Sequence, residues 1–158
     1  MLPKLDLPTY ELTIPSTQRK IKIRPFTVKE EKLLLMAAES QDVNDVITNT
    51  IQVLNNCILE EDFDVSKLPY FDIDYLFIGL RAKSVSENIE VKFTCNNETD
   101  EGRCGNIFSS TVDISNAILL NRHESMTIEI GGGKKVIMKY PTYAIVKRLS
   151  ENPTVVEG

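Results

Sequence analysis

The chain has 158 residues, of which 42% are hydrophobic and 26% charged, and this composition is that of about one folded domain rather than an intrinsically disordered chain. Its net charge of −5 at pH 7 gives it no general electrostatic attraction to nucleic acid or to an anionic membrane. We therefore expect one folded domain with no nucleic-acid partner.

The amino-terminal residues and the cysteines indicate the compartment. Prolines and an aspartate interrupt residues 1–8, where a signal peptide needs a continuous apolar stretch. No stretch reaches the roughly 18 apolar residues of a membrane-spanning helix. Three cysteines are too few for a disulfide framework, although one bridge between two of them stays open. These features predict a soluble cytoplasmic protein without stable membrane insertion.

Residues 10–14 and 19–24 alternate between polar and large apolar side chains, with a turn-forming segment between them. This pattern predicts an antiparallel β-hairpin. Its second strand directs Ile21 and Ile23 inward. The opposite face is predicted to be a solvated basic face that carries Lys20, Lys22 and Arg24.

Three helices are predicted next. Thr27 followed by Glu30 has the spacing of a capping box, so we expect a first helix over residues 28–39. A second apolar stripe runs from Val43 to Ile58 and includes Cys57, which we interpret as a buried structural thiol. Asp72 is predicted to start a third helix that extends through Arg81.

Acidic residues are frequent before and within the third helix. They lack the spacing, the central glycine and the final glutamate of a calcium-binding loop. We therefore interpret them as a solvated acidic surface, made of Glu60, Glu61, Asp62, Asp64, Asp72 and Asp74.

The pattern changes to strands after residue 86. Residues 89–93 and 107–114 predict one hairpin, and residues 126–130 and 136–140 predict a second one around a glycine-rich turn at residues 131–134. The segment 115–120 is left open as a helical turn or a connector. Thr142 is predicted to cap a last helix at residues 143–149.

These elements predict an α+β fold in a single domain over residues 1–158. A helical block at about residues 27–85 follows the N-terminal β-hairpin. An antiparallel β-hairpin insertion occupies the β-rich part at about residues 86–140, and a C-terminal helix starts from residue 142.

The sequence offers little for catalysis or metal binding. Cys95 and Cys104 flank a strand–loop–strand tip in the manner of zinc knuckles, but structural zinc needs four ligands and each side supplies one. We name them as candidate metal ligands of an incomplete zinc site, and keep open a free or bridged pair. The single histidine, His123, is not accompanied by a serine or cysteine motif that would supply a nucleophile. Residues 131–135 are predicted to form a hairpin turn rather than a phosphate-binding loop. We expect no enzymatic activity and no cofactor, with zinc at Cys95 and Cys104 kept open.

An ordered set of segments resembles a known family. It consists of Arg24, Pro25 and Phe26 before a helix, a helix that ends at residues 56–58, the run from Asp72 to Arg81, and a strand that leads into Cys95 and then Cys104. Over about residues 12–111 the chain is similar to the baseplate proteins of T-even-type contractile-tailed bacteriophages. That family includes baseplate hub subunits and hub-assembly proteins.

The resemblance implies a structural or assembly protein of the phage tail baseplate hub that acts by protein–protein interaction. It would be assembled in the host cytoplasm and located in the tail baseplate, and it has no catalytic residue to carry over. Related sequences carry paired CxxC knuckles where this chain has one cysteine on each side. They also continue beyond a helix such as residues 143–149, which leaves open a truncated carboxyl end.

The expected partners are other baseplate, hub and tail proteins, and a homo-oligomer stays open. We expect the hairpin at residues 89–114 and the strand at residues 21–26 to contact them. Two alternatives remain. One is a tail-assembly chaperone that is absent from the mature virion. The other is a small zinc-dependent regulatory module in which Cys95 and Cys104 bind zinc and the protein recognises nucleic acid.

Overall fold

The computed structural model describes residues 7–40, 42–99, 102–120 and 127–151, and it has the predicted α+β architecture. The helices are α1 (Val28–Ser40), α2 (Val43–Cys57), α3 (Tyr70–Ser84) and α4 (Tyr143–Glu151), with a 3₁₀ turn at Val65–Lys67. The strands are β1 (Tyr10–Thr13), β2 (Lys20–Ile23), β3 (Asn88–Thr94), β4 (Glu98–Thr99), β5 (Gly102–Arg103), β6 (Ile107–Asp113), β7 (Thr127–Glu129) and β8 (Lys135–Ile137). They pair as four antiparallel ladders, β1–β2, β3–β6, β4–β5 and β7–β8.

The N-terminal hairpin, β1–β2, is confirmed and forms one side of the core. Tyr10 pairs with Ile23, and both isoleucines of β2 are buried, as the alternation predicts. The outer edge of β2 is occupied by the chain itself. Leu59 N–H donates to the Lys22 carbonyl, and Arg24 N–H donates to the Cys57 carbonyl, both at 2.9 Å. This edge of β2 is therefore not open to an added strand, and contact of the strand at residues 21–26 with a partner stays a prediction.

Helices α2 and α3 supply the rest of the core. Their buried apolar side chains pack against the hairpin and the 3₁₀ turn in one cluster, which contains Ile14, Ile21, Ile23, Val53, Leu54, Cys57, Ile58, Val65, Ile73, Leu76 and Leu80. At the contact of α3 with β1, a Cβ on Gly79 would lie 2.9 Å from the Leu12 Cδ1 atom. A side chain at residue 79 would therefore require the end of the Leu12 side chain to shift.

Side chains close in sequence cap the first turns of α1 and α2, whereas α3 begins without such a cap. At α1, the Thr27 N–H donates to the Glu30 carboxylate at 2.8 Å, as the predicted capping box requires. At α2, the Asp42 carboxylate accepts from the Asn44 N–H at 2.8 Å.

The exception is α3, which begins at Tyr70 and not at Asp72. Asp72 is fully buried, and its carboxylate accepts hydrogen bonds from the Ser16 N–H, at 3.0 Å, and from the Ser16 hydroxyl. The predictions of a helix cap and of a solvated carboxylate at this position are wrong, because the turn of the N-terminal hairpin covers the residue. Asp72 joins that turn to α3.

The β-rich part begins with the longest ladder of the described chain. Strands β3 and β6 pair over seven positions, from Asn88 with Asp113 to Thr94 with Ile107. The short ladder β4–β5 lies between them in sequence and forms the tip, which the sequence did not predict as strands.

The second predicted hairpin is confirmed as β7–β8, and Gly131, Gly132 and Gly133 take φ angles of 86°, 60° and 74° in its turn. The segment 115–120 contains a turn and no helix.

The C-terminal helix α4 is confirmed. Just before it, the Pro141 carbonyl accepts from the Tyr70 N–H at 3.1 Å. Among the described residues, no helix is both long and apolar enough to cross a membrane.

Candidate interaction surfaces

The hairpin β3–β6 presents an apolar face that is exposed at Phe93, Phe108 and Val112 and half-buried at Ile89 and Val91. The register places Ile89 opposite Val112 and Phe93 opposite Phe108, and side chains two residues apart along a strand share a face. We call the side chains of Ile89, Val91, Phe93, Phe108 and Val112 the arm face. The two phenylalanine rings stack with centroids 5.4 Å apart, yet 46% of Phe93 and 53% of Phe108 is exposed.

The ladder is also open at its edges. Among the described residues, β3 and β6 pair only with each other, so each strand has a free edge of N–H and C=O groups. Free strand edges and contiguous exposed aromatic side chains are features of surfaces that another protein covers.

The two candidate metal ligands lie at the tip of this hairpin. The Cys95 carbonyl accepts from the Gly105 N–H at 3.1 Å, and the Cys104 N–H donates to the Asn97 carbonyl at 2.9 Å. Both thiols are free, with Cys104 exposed and Cys95 half-buried. In the described part of the chain, no three side chains of the His, Cys, Asp or Glu type come together to hold a metal ion. Zinc binding at Cys95 and Cys104 therefore stays a prediction.

An ion pair between the half-buried Arg24 and the buried Glu30 fixes the connection between the hairpin β1–β2 and α1. The Arg24 guanidinium donates to Glu30 at 3.0 Å and to the Asn56 carbonyl near the end of α2, also at 3.0 Å. Only 22% of the Arg24 side chain and 6% of the Glu30 side chain is exposed. The prediction of a solvated face is thus wrong for Arg24, while Lys20 and Lys22 are exposed as predicted.

The same environment shifts two pKa values. Burial raises the pKa of the Glu30 carboxyl, but hydrogen bonds from Arg24 and from the Thr27 hydroxyl and N–H outweigh it and hold the pKa at about 2. Burial raises the pKa of the Cys57 thiol to about 11. The cluster is therefore an ionic anchor beside an inert thiol. It carries no acid, base or nucleophile suited to chemistry near pH 7.

A family model described as T4 bacteriophage base plate protein matches residues 7–156 of the chain. The chain belongs to this family. It is a structural protein of the phage baseplate, and its place is the tail baseplate of the virion. Comparisons with the curated proteins and with the solved structures give no match. The resemblance read from the sequence is confirmed at the level of the baseplate family.

Membership of the baseplate family offers a reason for the exposed apolar surfaces. A baseplate protein contacts other baseplate and tail proteins of the phage. The match spans the arm face, the cysteine tip and the ionic anchor alike. An apolar face that is open in the isolated chain is therefore expected in a protein whose partners are not present.

Sequence reasoning located some of these features and missed others. It placed Cys95 and Cys104 on a strand–loop–strand tip, as the structure does. His123 lies outside the described residues. The sequence analysis missed the ion pair of Arg24 with Glu30. The signal that could have found it is the pair of opposite charges six residues apart, with Pro25 between them. The alternation of residues 89–93 predicted the hairpin, but it did not show which of its side chains the structure leaves exposed.

Proposed function

We propose that this protein is a hub subunit of the baseplate that acts by protein–protein interaction and uses the arm face to dock onto a neighbouring baseplate protein. The observation that carries the proposal is the stacked pair of Phe93 and Phe108, each about half exposed on a two-stranded ladder. Covering these rings would remove apolar surface from water, which is the main favourable term in protein association.

The free edges of the ladder support the same proposal. A neighbouring strand that adds to β3 or β6 would satisfy their outward N–H and C=O groups, and the arm face would then select the side chains that pack beside it. This mode of binding needs no catalytic group, so we propose that the protein is not an enzyme. Assembly would take place in the host cytoplasm before the tail is complete.

The arm face is tested by the double substitution Phe93→Ser and Phe108→Ser. The matched control is Glu90→Ser, which changes the opposite face of β3. Both variants are produced in infected cells that lack the natural copy, and mass spectrometry then measures their amount in baseplates and in purified virions. We expect the double variant to fall at least about tenfold in baseplates, since two buried aromatic contacts are lost, and the control to stay at the natural level.

Each other outcome has a definite meaning. Normal incorporation of the double variant overturns docking through the arm face. A natural protein that enters baseplates but copurifies with no hub component overturns the hub assignment. A natural protein present in assembling baseplates and absent from purified virions identifies an assembly chaperone and overturns the role of permanent subunit.

A further inference from the structure

Strand β3 has an outer edge that no strand of the described chain covers. Its hydrogen-bonding direction follows from the two ends of the ladder. The Cys95 N–H donates to the Asn106 carbonyl, and the Ile114 N–H donates to the Glu87 carbonyl, both at 2.8 Å. Hydrogen-bonded pairs alternate along an antiparallel ladder, so the odd-numbered residues of β3 bond to β6. The N–H and C=O groups of the even-numbered residues therefore point away from β6.

The even-numbered residues of β3 are polar and exposed, and they are Asn88, Glu90, Lys92 and Thr94. No ion pair among the described residues includes Glu90 or Lys92. A lysine on an edge strand ordinarily opposes the addition of another strand. With Glu90 two residues before Lys92, this edge carries one charge of each sign. A strand that suits it must present the opposite charges in the same order along the edge.

A second copy of β3 meets this requirement. When it lies antiparallel and is related by a two-fold axis at Val91, Glu90 of each copy lies opposite Lys92 of the other, and Asn88 lies opposite Thr94. Even-numbered residues then face even-numbered residues along the whole strand. Their outward N–H and C=O groups can therefore bond to each other in pairs. The edge of β3 is complementary to itself.

Other registers of this pairing fail on charge or on hydrogen bonding. A two-fold axis at Glu90 or at Lys92 sets two like charges opposite each other, which is unfavourable. A register that pairs odd-numbered with even-numbered residues sets outward groups against groups already bonded to β6. Larger shifts pair less than half of β3. The edge of β6 lacks the same symmetry, because its antiparallel pairing with itself would place Ile107 opposite Asp113.

We propose that β3 pairs with β3 of a second copy of this chain, antiparallel and centred on Val91, to form a four-stranded sheet. Side chains directly opposite each other in an antiparallel pair point to the same face. Val91 then meets its own copy and Ile89 meets Phe93, so the two arm faces merge on one side of the sheet. The inference goes beyond the proposed function, and it leaves the edge of β6 open to a neighbouring baseplate protein.

Disulfide trapping tests the pairing in the full-length chain. Val91→Cys, in a chain that also carries Cys95→Ser and Cys104→Ser, places two thiols at a pair without hydrogen bonds, where Cα atoms about 4.5 Å apart suit a disulfide. Oxidised glutathione is the oxidant. We expect a dimer of twice the chain mass of 17.9 kDa, linked through residue 91 of both copies.

The matched control is Ser110→Cys in the same background. Ser110 lies opposite Val91 on β6 and on the same face. It is exposed whereas Val91 is half-buried, so random collisions would link the control more readily. In the proposed sheet β6 is the outer strand of each copy, and two thiols at residue 110 are too far apart to bond. We expect the control to form a dimer at least about tenfold more slowly.

Charge exchange tests the register in the chain with its natural cysteines. Sedimentation velocity at a series of concentrations measures the dissociation constant of the dimer. Glu90→Lys and Lys92→Glu each set like charges opposite each other, so each alone should raise this constant at least about tenfold. A mixture of the two variants again sets unlike charges opposite each other and should dimerise as the natural protein does. Thermal unfolding identifies a misfolded variant, and recovery in the mixture excludes misfolding as the cause.

Several results would overturn the inference. They are a natural protein that stays monomeric at every concentration, trapping of Ser110→Cys as fast as Val91→Cys, and single charge variants that dimerise as well as the natural protein. These measurements use the isolated chain, so they leave docking through the arm face untouched. Failure of the baseplate experiment alone would overturn that docking and leave the pairing standing. Its control, Glu90→Ser, sets no like charges opposite each other and should keep the pairing.

Discussion

The ion pair of Arg24 with Glu30 should make the stability of the protein depend on acid. Glu30 has a pKa of about 2 in the folded chain against an ordinary value of 4.5. Because the folded pKa is the lower of the two, the carboxylate stabilises the fold above about pH 4.5, and this contribution is lost as the pH falls toward 2. At 1.36 kcal/mol for each pKa unit, the difference corresponds to about 3 kcal/mol.

The substitution Glu30→Gln tests this reasoning. It leaves the half-buried Arg24 guanidinium without its anionic partner, so we expect the free energy of unfolding to fall by about 3 kcal/mol at pH 7. The gap between the variant and the natural protein should narrow steadily between about pH 5 and pH 2. Urea unfolding followed by circular dichroism at a series of pH values measures both quantities.

Two further variants complete the measurement. Glu31→Gln, at the neighbouring exposed position on α1, should change the free energy of unfolding by less than about 0.5 kcal/mol. The double variant Arg24→Met and Glu30→Met should be more stable than Glu30→Gln, because it leaves no unpaired charge. A Glu30→Gln protein as stable as the natural one, or a gap that does not change with pH, would refute the argument.

Other consequences follow from the buried polar groups. Ser16→Ala removes the hydroxyl that donates to the fully buried Asp72 carboxylate. We expect the free energy of unfolding, measured by urea titration, to fall by about 1 to 3 kcal/mol. An unchanged unfolding midpoint would show that this hydrogen bond does not stabilise the fold. Burial and a pKa of about 11 should keep Cys57 unreactive toward a thiol reagent at pH 7, while Cys104, and more slowly Cys95, react. Peptide mapping of the labelled native protein measures this, and labelling of Cys57 at the rate of Cys104 would contradict it.

Local interactions explain why much of the fold was predictable. The capping pair of Thr27 and Glu30, the period-two alternation of the hairpins, and the left-handed turn at Gly131 to Gly133 involve residues a few positions apart. Their chemistry is the same in any protein that contains them. The burial of Cys57 was predictable for a similar reason. Cys57 lies in the apolar stripe of an amphipathic helix, and that stripe faces the core.

The interaction surfaces depend on contacts between distant residues. Ser16 and Asp72 are 56 residues apart, and Arg24 lies 32 residues from the Asn56 carbonyl that it binds. No local pattern reports such contacts, so Asp72 and Arg24 were wrongly assigned to solvent. Whether an apolar face is covered is also a property of the whole chain. The alternation of β3 is the same whether its face is buried or open.

The sequence by itself thus determined the α+β class, the order of the four helices and of the three longer hairpins, and the resemblance to the baseplate family. Each of these is carried by local periodicity and by segments read in order. Only the tertiary structure decided where the open surfaces lie. It left the stacked pair of Phe93 and Phe108 uncovered and buried the Arg81 Nη1 atom without an acceptor. Burial and hydrogen-bond satisfaction are set by which elements pack together, and that is decided by the free energy of the whole fold.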